Sequence, residues 1–272
     1  MCIRDSPPPI PIAAPLRIDH VTVIDPRDGS RREDVSIRIR DGNIVSVSAN
    51  ERPPDFDEWA IDGRGRFVVP GYNNMHTHAL QSDGPDMPLA MMLSEGTTGM
   101  RQMAGSSGML EARAQSRLGT PQHAPALLQM PGSLLMPFTA RSVEDVHRVI
   151  GDQKHRGANF IKVIDLDREV FFAAIDAAHQ NGLRIAGHLP PSVTLKEAAD
   201  AGMDCIEHLG AGGRVWFETS TDGAALRAEA LNSDSSPTAG WLDHLPFAEQ
   251  IFSTTFVQKR VKKMLLNPVL SD

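Results

Sequence analysis

The chain has 272 residues, 41% hydrophobic and 22% charged, with a formal net charge of −7. These proportions fit an ordinary globular protein with room for one large domain and a small appendage. The acidic balance argues against a nucleic-acid binder, no apolar run reaches the roughly 20 residues of a bilayer span, and two cysteines, Cys2 and Cys205, supply no disulfide framework.

Residues 1–15 carry Pro7, Pro8, Pro9, Pro11 and Pro15 and lack the apolar core of a secretory leader. They are expected to be a tail outside the fold, with Met1–Ser6 reading as a scar of sequence assembly. The compartment is cytoplasmic by default, and a leader lost upstream would leave no trace in this chain. From Leu16 to Ser48 hydrophobic residues alternate in period two. Ile18, Val21 and Val23, then Val35, Ile37 and Ile39, then Ile44, Val45 and Val47 predict three short strands. Asp25-Pro26-Arg27-Asp28-Gly29 and Asp41-Gly42 supply the turns between them. Glu51–Asp57, with two prolines, reads as a linker, so 16–66 forms a small β layer of its own.

After Phe67 the rhythm changes to strands alternating with helices, which predicts an α/β fold with a parallel sheet. Strands are expected at Phe67–Val69 extending to His76, Thr97–Met103, Ala126–Met130, Asn159–Ile164, Arg184–Ala186 and Asp204–Ile206. Gly96, Gly157, Gly182 and Gly202 stand where helices would stop in a left-handed turn. Ser142-Val-Glu-Asp145 and Thr194-Leu-Lys-Glu197 read as N-terminal caps with an acidic partner three residues on. The helix from Glu169 to Gln180 is expected to carry Phe172, Ile175 and His179 near one face. Periodicity leaves a barrel and an open sheet equally available.

Five residues fall at or just beyond strand ends: His76 and His78, Lys162, His188, and His208. Two histidines at i and i+2 on a strand face the same side and can grip one ion. A lone His-x-His is common by chance, and a single strand-end histidine means little. Lys162 is harder to dismiss. Isoleucine and valine flank it, and an unpaired buried ammonium is costly unless the side chain reaches the rim. The ordered set is far more specific than any member. His20, His123, His147, His155, His179 and His244 sit in helices, loops or the small β layer and are not expected to be ligands.

The segment Phe67-Val-Val-Pro-Gly-Tyr-Asn-Asn-Met-His-Thr-His78 resembles the first barrel strand of the amidohydrolase superfamily. The resemblance is nearest to its imidazolonepropionase-like, prolidase-related branch. Glu95-Gly-Thr-Thr98, Phe160-Ile-Lys-Val163, Gly187-His-Leu-Pro190 and Ile206-Glu-His-Leu209 extend it over about 16–210. It implies a (β/α)8 barrel, here partial, over 67–272, beside the N-terminal part of a β-sandwich over 16–66. It further implies two divalent ions, zinc first among them. His76 and His78 would hold the more buried ion, a carboxylated Lys162 would bridge, and His188 and His208 would hold the second. The implied reaction is hydrolysis of an amide or other C–N bond in a small cyclic amide or dipeptide-like substrate, with a metal-bound hydroxide as nucleophile. The pattern departs at Tyr72 and Asn73, which replace apolar residues, and at Asn74, where an Asp is frequent.

The strand-eight Asp of this family is not found, so no catalytic residue is assigned. Residues 209–272 would have to supply the remaining strands, and 211–240 are rich in Gly, Ser, Thr and Asp. Asp222 in Ser220-Thr-Asp-Gly223 follows His208 too closely to end an eighth strand, and Asp243 fits less well. Phe247–Leu266 reads as a helix with a basic face at Lys259, Arg260, Lys262 and Lys263. The chain is therefore expected to be a C-terminally truncated fragment of low activity, with about six strands. The alternatives are an inactive binding or scaffold protein and a phosphotriesterase-like binuclear hydrolase. A small-molecule substrate is expected, without nucleic acid or membrane, and a homo-oligomer is left open.

Overall fold

The computed structural model describes residues 14–49, 58–82, 84–121, 124–190, 192–209, 218–225 and 228. Two compact units divide at residue 71, the first from Met1 to Gly71 and the second from Tyr72 to Asp272. The linker expected at 51–57 and the basic helix expected at 247–266 lie outside the described residues.

In the first unit, β1 (Leu16–Ile24), β2 (Arg31–Arg40) and β3 (Asn43–Ala49) pair antiparallel, as their alternation predicts. Two further strands, β4 (Trp59–Asp62) and β5 (Phe67–Val68), run parallel to β1. The described residues of this unit form one sheet, without the second layer of a sandwich. Its apolar face gathers Val21, Val35 and Ile37 with Ile18, Val23, Ile39, Val47 and Val68. Arg17 alternates with Ile18 and so falls on the other face, where it is buried and tied to Asp19 at 2.7 Å, and the Ser36 hydroxyl donates to the same carboxylate at 2.6 Å.

The strand expected to run from Phe67 into His76 is two strands. Phe67–Val68 belongs to the first sheet, and β6 (Tyr72–Thr77) opens the second unit. Pro70 has no N–H to give a ladder, and the two strands separate on either side of it.

Among the described residues the second unit has six parallel strands in chain order. They are β6, β7 (Thr97–Gln102) and β8 (Ala126–Gln129), then β9 (Phe160–Val163), β10 (Arg184–Gly187) and β11 (Cys205–Ile206). A parallel bridge between Leu135 and Val163, and a bond from Asn159 N–H to the Met130 carbonyl, connect the two groups of three. Helices α1 (Asp86–Ser94), α2 (Ser107–Ala114), α3 (Val143–His155), α4 (Arg168–Gln180) and α5 (Leu195–Asp200) lie between successive strands. A closed eight-strand barrel is not formed among the described residues.

The helix ends follow the sequence signals. Gly96, Gly157, Gly182 and Gly202 all have positive φ. Ser142 accepts from Asp145 N–H, and Thr194 with Glu197 completes a reciprocal capping box. The buried face of α4 is Val170, Phe171, Ala174, Ile175, Ala177 and Ala178. Phe172 is only half-buried and His179 is exposed. Positions 171, 174, 175 and 178 fall on one helical stripe, and this stripe rather than the Phe172–His179 face meets the sheet.

Strand parity sorts the interior. Ile161, Val163 and Ile185 join the cluster containing α3 and α4, whereas Phe160 and Ala186 pack with Met103 and Cys205. Successive strand side chains point to opposite faces, so Lys162 shares the face of Phe160, away from the helices.

Gly187 lets β10 pass close to the β9 backbone. Its φ is +151°, and a Cβ there would lie 2.0 Å from the Val163 carbonyl oxygen. Gly151, inside α3, would meet nothing within 4 Å. Gly187→Ala is therefore expected to cost at least about 2 kcal/mol of unfolding free energy, whereas Gly151→Ala should gain about 0.5–1 kcal/mol. Paired urea melts of the two variants check the contrast, which equal effects would contradict.

Candidate metal centre

β6 carries His76 and delivers His78 one residue past its end. Asn74 Oδ1 accepts from the His76 backbone N–H at 3.0 Å, and the His78 ring meets Gln81 Oε1 at 3.3 Å. The segment behind them is anchored to β7. Met103 N–H bonds the Thr77 carbonyl at 2.8 Å, and the fully buried Gln102 accepts from Leu80 N–H and donates to the Ala104 carbonyl. Tyr72 and Asn73 are exposed, so their polar character costs no packing behind the strand.

Lys162 is 1% exposed in a strand buried along its whole length. Its Nζ is a buried amine without a hydrogen-bond partner. Burial, partly opposed by the Glu207 charge, pulls its pKa down to about 8. His188 follows Gly187 and is also buried, its backbone N–H bonding the Val163 carbonyl at 3.1 Å. His208 is exposed and sits with Leu209 in left-handed backbone, at φ 53° and 54°. Non-glycine residues seldom adopt that conformation, and two in succession mark a strained turn held by its surroundings.

The four histidine rings are brought together. Ring centroids lie 5.4 Å apart for His76 and His78, 4.3 Å for His76 and His208, and 5.4 Å for His188 and His208. Burial lowers the His78 pKa to about 4 and the His188 pKa to about 2, with Lys162 and neighbouring rings adding repulsion. His208 shifts the same way, also chiefly by burial. These three imidazoles are therefore neutral near pH 7, the form with a nitrogen lone pair free to ligate. Neutral imidazoles around a buried, partnerless amine are a donor set that suits divalent cations. As they stand, no group of three or more His, Cys, Asp and Glu side chains among the described residues is arranged to hold an ion.

Two residues that the sequence reading did not single out join the cluster. Glu207 is buried and joins His76 Nδ1 through one oxygen at 2.6 Å. Its other oxygen accepts from Arg101 at 2.7 Å and from the Cys205 thiol at 3.2 Å. Burial alone would raise the Glu207 pKa, but the His76 bond and the Lys162 charge outweigh it and bring it down to about 2. Arg101 also donates to the Met75 carbonyl at 2.7 Å and lies 5.4 Å over the Phe160 ring. The sequence signal for Glu207 was its place beside His208 at a strand end.

The other described histidines occupy the elements in which the sequence placed them. His147, His155 and His179 lie in α3 and α4, and His20 lies in β1 bonded to Asp34. Asp222 is exposed in a short turn with Ser220. His123, Asp243 and His244 lie outside the described residues.

No family model matches the chain. An uncharacterised protein of Mycobacterium tuberculosis is 25% identical over 55% of this chain and 50% of its own. This chain thus spans about half the length of the curated relatives it matches. Among solved structures, a candidate prolidase from Bifidobacterium longum aligns with TM-score 0.57 at 24% identity, over 73% of this chain and 55% of that one. A prolidase complexed with N-methylphosphonate-L-proline gives 0.55 at 21%, over 75% and 64%. A Xaa-Pro dipeptidase with methionine in its active site gives 0.56 at 18%, over 80% and 73%. The likeness is one of fold, shared with prolidase- and amidohydrolase-type proteins.

Lys162 titrates lower when folded than its ordinary value of 10.5. The unfolded chain then holds the extra proton between about pH 8 and 10.5, so the metal-free protein gains stability as pH rises through that window. Lys162→Met should abolish this gain, worth a few kcal/mol, and should leave the metal-free protein at least as stable at pH 7. Denaturant melts at pH 7 and pH 10 measure both, and parallel curves for the two proteins would contradict the buried-amine account.

Proposed function

We propose that this chain is part of a metal-dependent hydrolase of amide or related C–N bonds, acting on a dipeptide-like or cyclic amide substrate. The observation that carries the reading is Lys162, a buried amine without a partner, beside four gathered histidine rings. An amine with its pKa near 8 has a reactive neutral fraction at physiological pH. Its lone pair adds to the carbon of CO2, one C=O π pair moves to oxygen, and the amine proton leaves to water. The product is a carbamate, an anion with two donor oxygens. Carboxylation would thus turn a costly buried cation into an anionic oxygen donor for divalent ions.

His76 and His78 would hold one cation and His188 and His208 a second, with the Lys162 carbamate between them. Zinc suits nitrogen and oxygen donors of this kind. Bound divalent ions supply Lewis acidity toward a scissile carbonyl and acidify water. The chain's own contribution is positional: it gathers the histidine rings and supplies the apolar cluster of Phe160, Met103 and Ala186 on the face of the sheet that Lys162 shares. Glu207 is committed to His76 and Arg101, so it is not assigned the proton transfer. The prolidase and Xaa-Pro dipeptidase among the fold neighbours support Xaa-Pro dipeptides as the first substrates to assay.

Chelator-treated protein titrated with zinc by calorimetry should take up two equivalents per chain. Added 13C-bicarbonate should give a carbamate carbon resonance, and Lys162→Ala should remove both the resonance and at least one zinc. No zinc uptake, or uptake indifferent to that substitution, would overturn the reading. Assaying amides and phosphotriesters side by side distinguishes C–N hydrolysis from triester hydrolysis.

A further inference from the structure

We propose that Glu207 is a positioning residue that fixes the tautomer of His76, holding the imidazole proton on Nδ1 so that Nε2 keeps its lone pair. The inference rests on the metal-centre reading. It concerns a carboxylate on the far side of the His76 ring, bonded at 2.6 Å to Nδ1.

Glu207 has no freedom to do otherwise. Its second oxygen faces two donors, the Arg101 guanidinium at 2.7 Å and the Cys205 thiol at 3.2 Å. An ionised carboxylate only accepts, so the His76 nitrogen facing it must be the one that carries hydrogen. Arg101 is equally constrained by the Met75 carbonyl and the Phe160 ring. Because β6, β7, β9 and β11 each contribute a member, the carboxylate is held by strands of both three-stranded groups rather than by one flexible loop. Glu207 and Arg101 are 8% and 12% exposed at their side chains, so little water competes for these bonds. A carboxylate behind a ligating histidine sets the ring's orientation and raises its basicity.

Glu207→Gln is a sharp test because its amide cannot satisfy both sides in the native sense. Arg101 and Cys205 both donate, so the amide oxygen must face them and the NH2 must face His76. His76 Nδ1 then has to accept, and the ring proton moves to Nε2. Histidine 15N–1H correlation spectra of the metal-free protein, recorded above the imidazole titration range, read the tautomer directly. His76→Gln identifies the resonances. Wild type should show Nδ1–H and Glu207→Gln should show Nε2–H. Zinc affinity should fall about 10–100-fold, while Glu207→Asp, still acceptor-only, should keep the wild-type tautomer and most of the affinity.

The wild-type spectrum tests the proposal even if Glu207→Gln fails to fold, since Nε2–H in wild type overturns it. So does a Glu207→Gln protein that binds zinc as tightly as wild type. Loss of thermal stability with unchanged zinc affinity assigns Glu207 a structural role only, and that too overturns it. Failure of the metal-centre reading looks different: His76→Ala would then leave zinc binding unchanged.

Discussion

The second unit is organised around the burial of one amine. β9 is buried on both faces, as parallel strands flanked by helices are, and such a strand is normally apolar throughout. Phe160, Ile161 and Val163 satisfy that rule, and Lys162 breaks it at 1% exposure. The Lys162 side chain shares a strand face with Phe160, but its charged end loses water without gaining a bonded partner. Its pKa falls for that reason, and its field in turn helps keep His78, His188 and His208 neutral. The electrostatics of the site follow from that placement.

Holding such an interior open to chemistry requires rigid edges. Gly187 lets β10 approach the Val163 carbonyl and sets the starting point of His188. The strained pair His208 and Leu209 turns the chain immediately after β11, where His208 comes within 4.3 Å of the His76 ring. Arg101 and Glu207 then link β6, β7 and β11 across the same face. β6 and β11 stand first and last among the described strands of this unit, yet His76 and Glu207 touch. The six strands must curve strongly for that to happen, and side-chain bonds rather than backbone pairing span the gap.

The fold neighbours share this architecture while differing from the chain at more than three positions in four. A scaffold of parallel strands tolerates that divergence because burial asks only for apolar residues of suitable volume. Glu207 is under a different constraint. It meets His76 on one side and Arg101 on the other, so few replacements satisfy the same set of bonds.

Much of this was legible in the amino-acid sequence by itself. Period-two alternation located β1 to β3, glycine stops and capping residues bounded α3 and α5, and strand-end placement picked out His76, His78, Lys162, His188 and His208. These are local signals, written within a few residues of where they act. The division of Phe67–Val68 from β6 was not legible, because an apolar run does not say which sheet it will join. Nor was the buried stripe of α4, since Phe172 and Phe171 are equally apolar and only the packing direction chooses between them. Glu207 and Arg101 escaped for the strongest reason. Their partners lie 131 residues away at His76 and 106 residues apart from each other. The sequence thus determined which residues stand at strand ends, through local periodicity and turn chemistry. Only the tertiary structure decided which of them meet, because a bond between a carboxylate and an imidazole depends on how strands far apart in the chain are brought together.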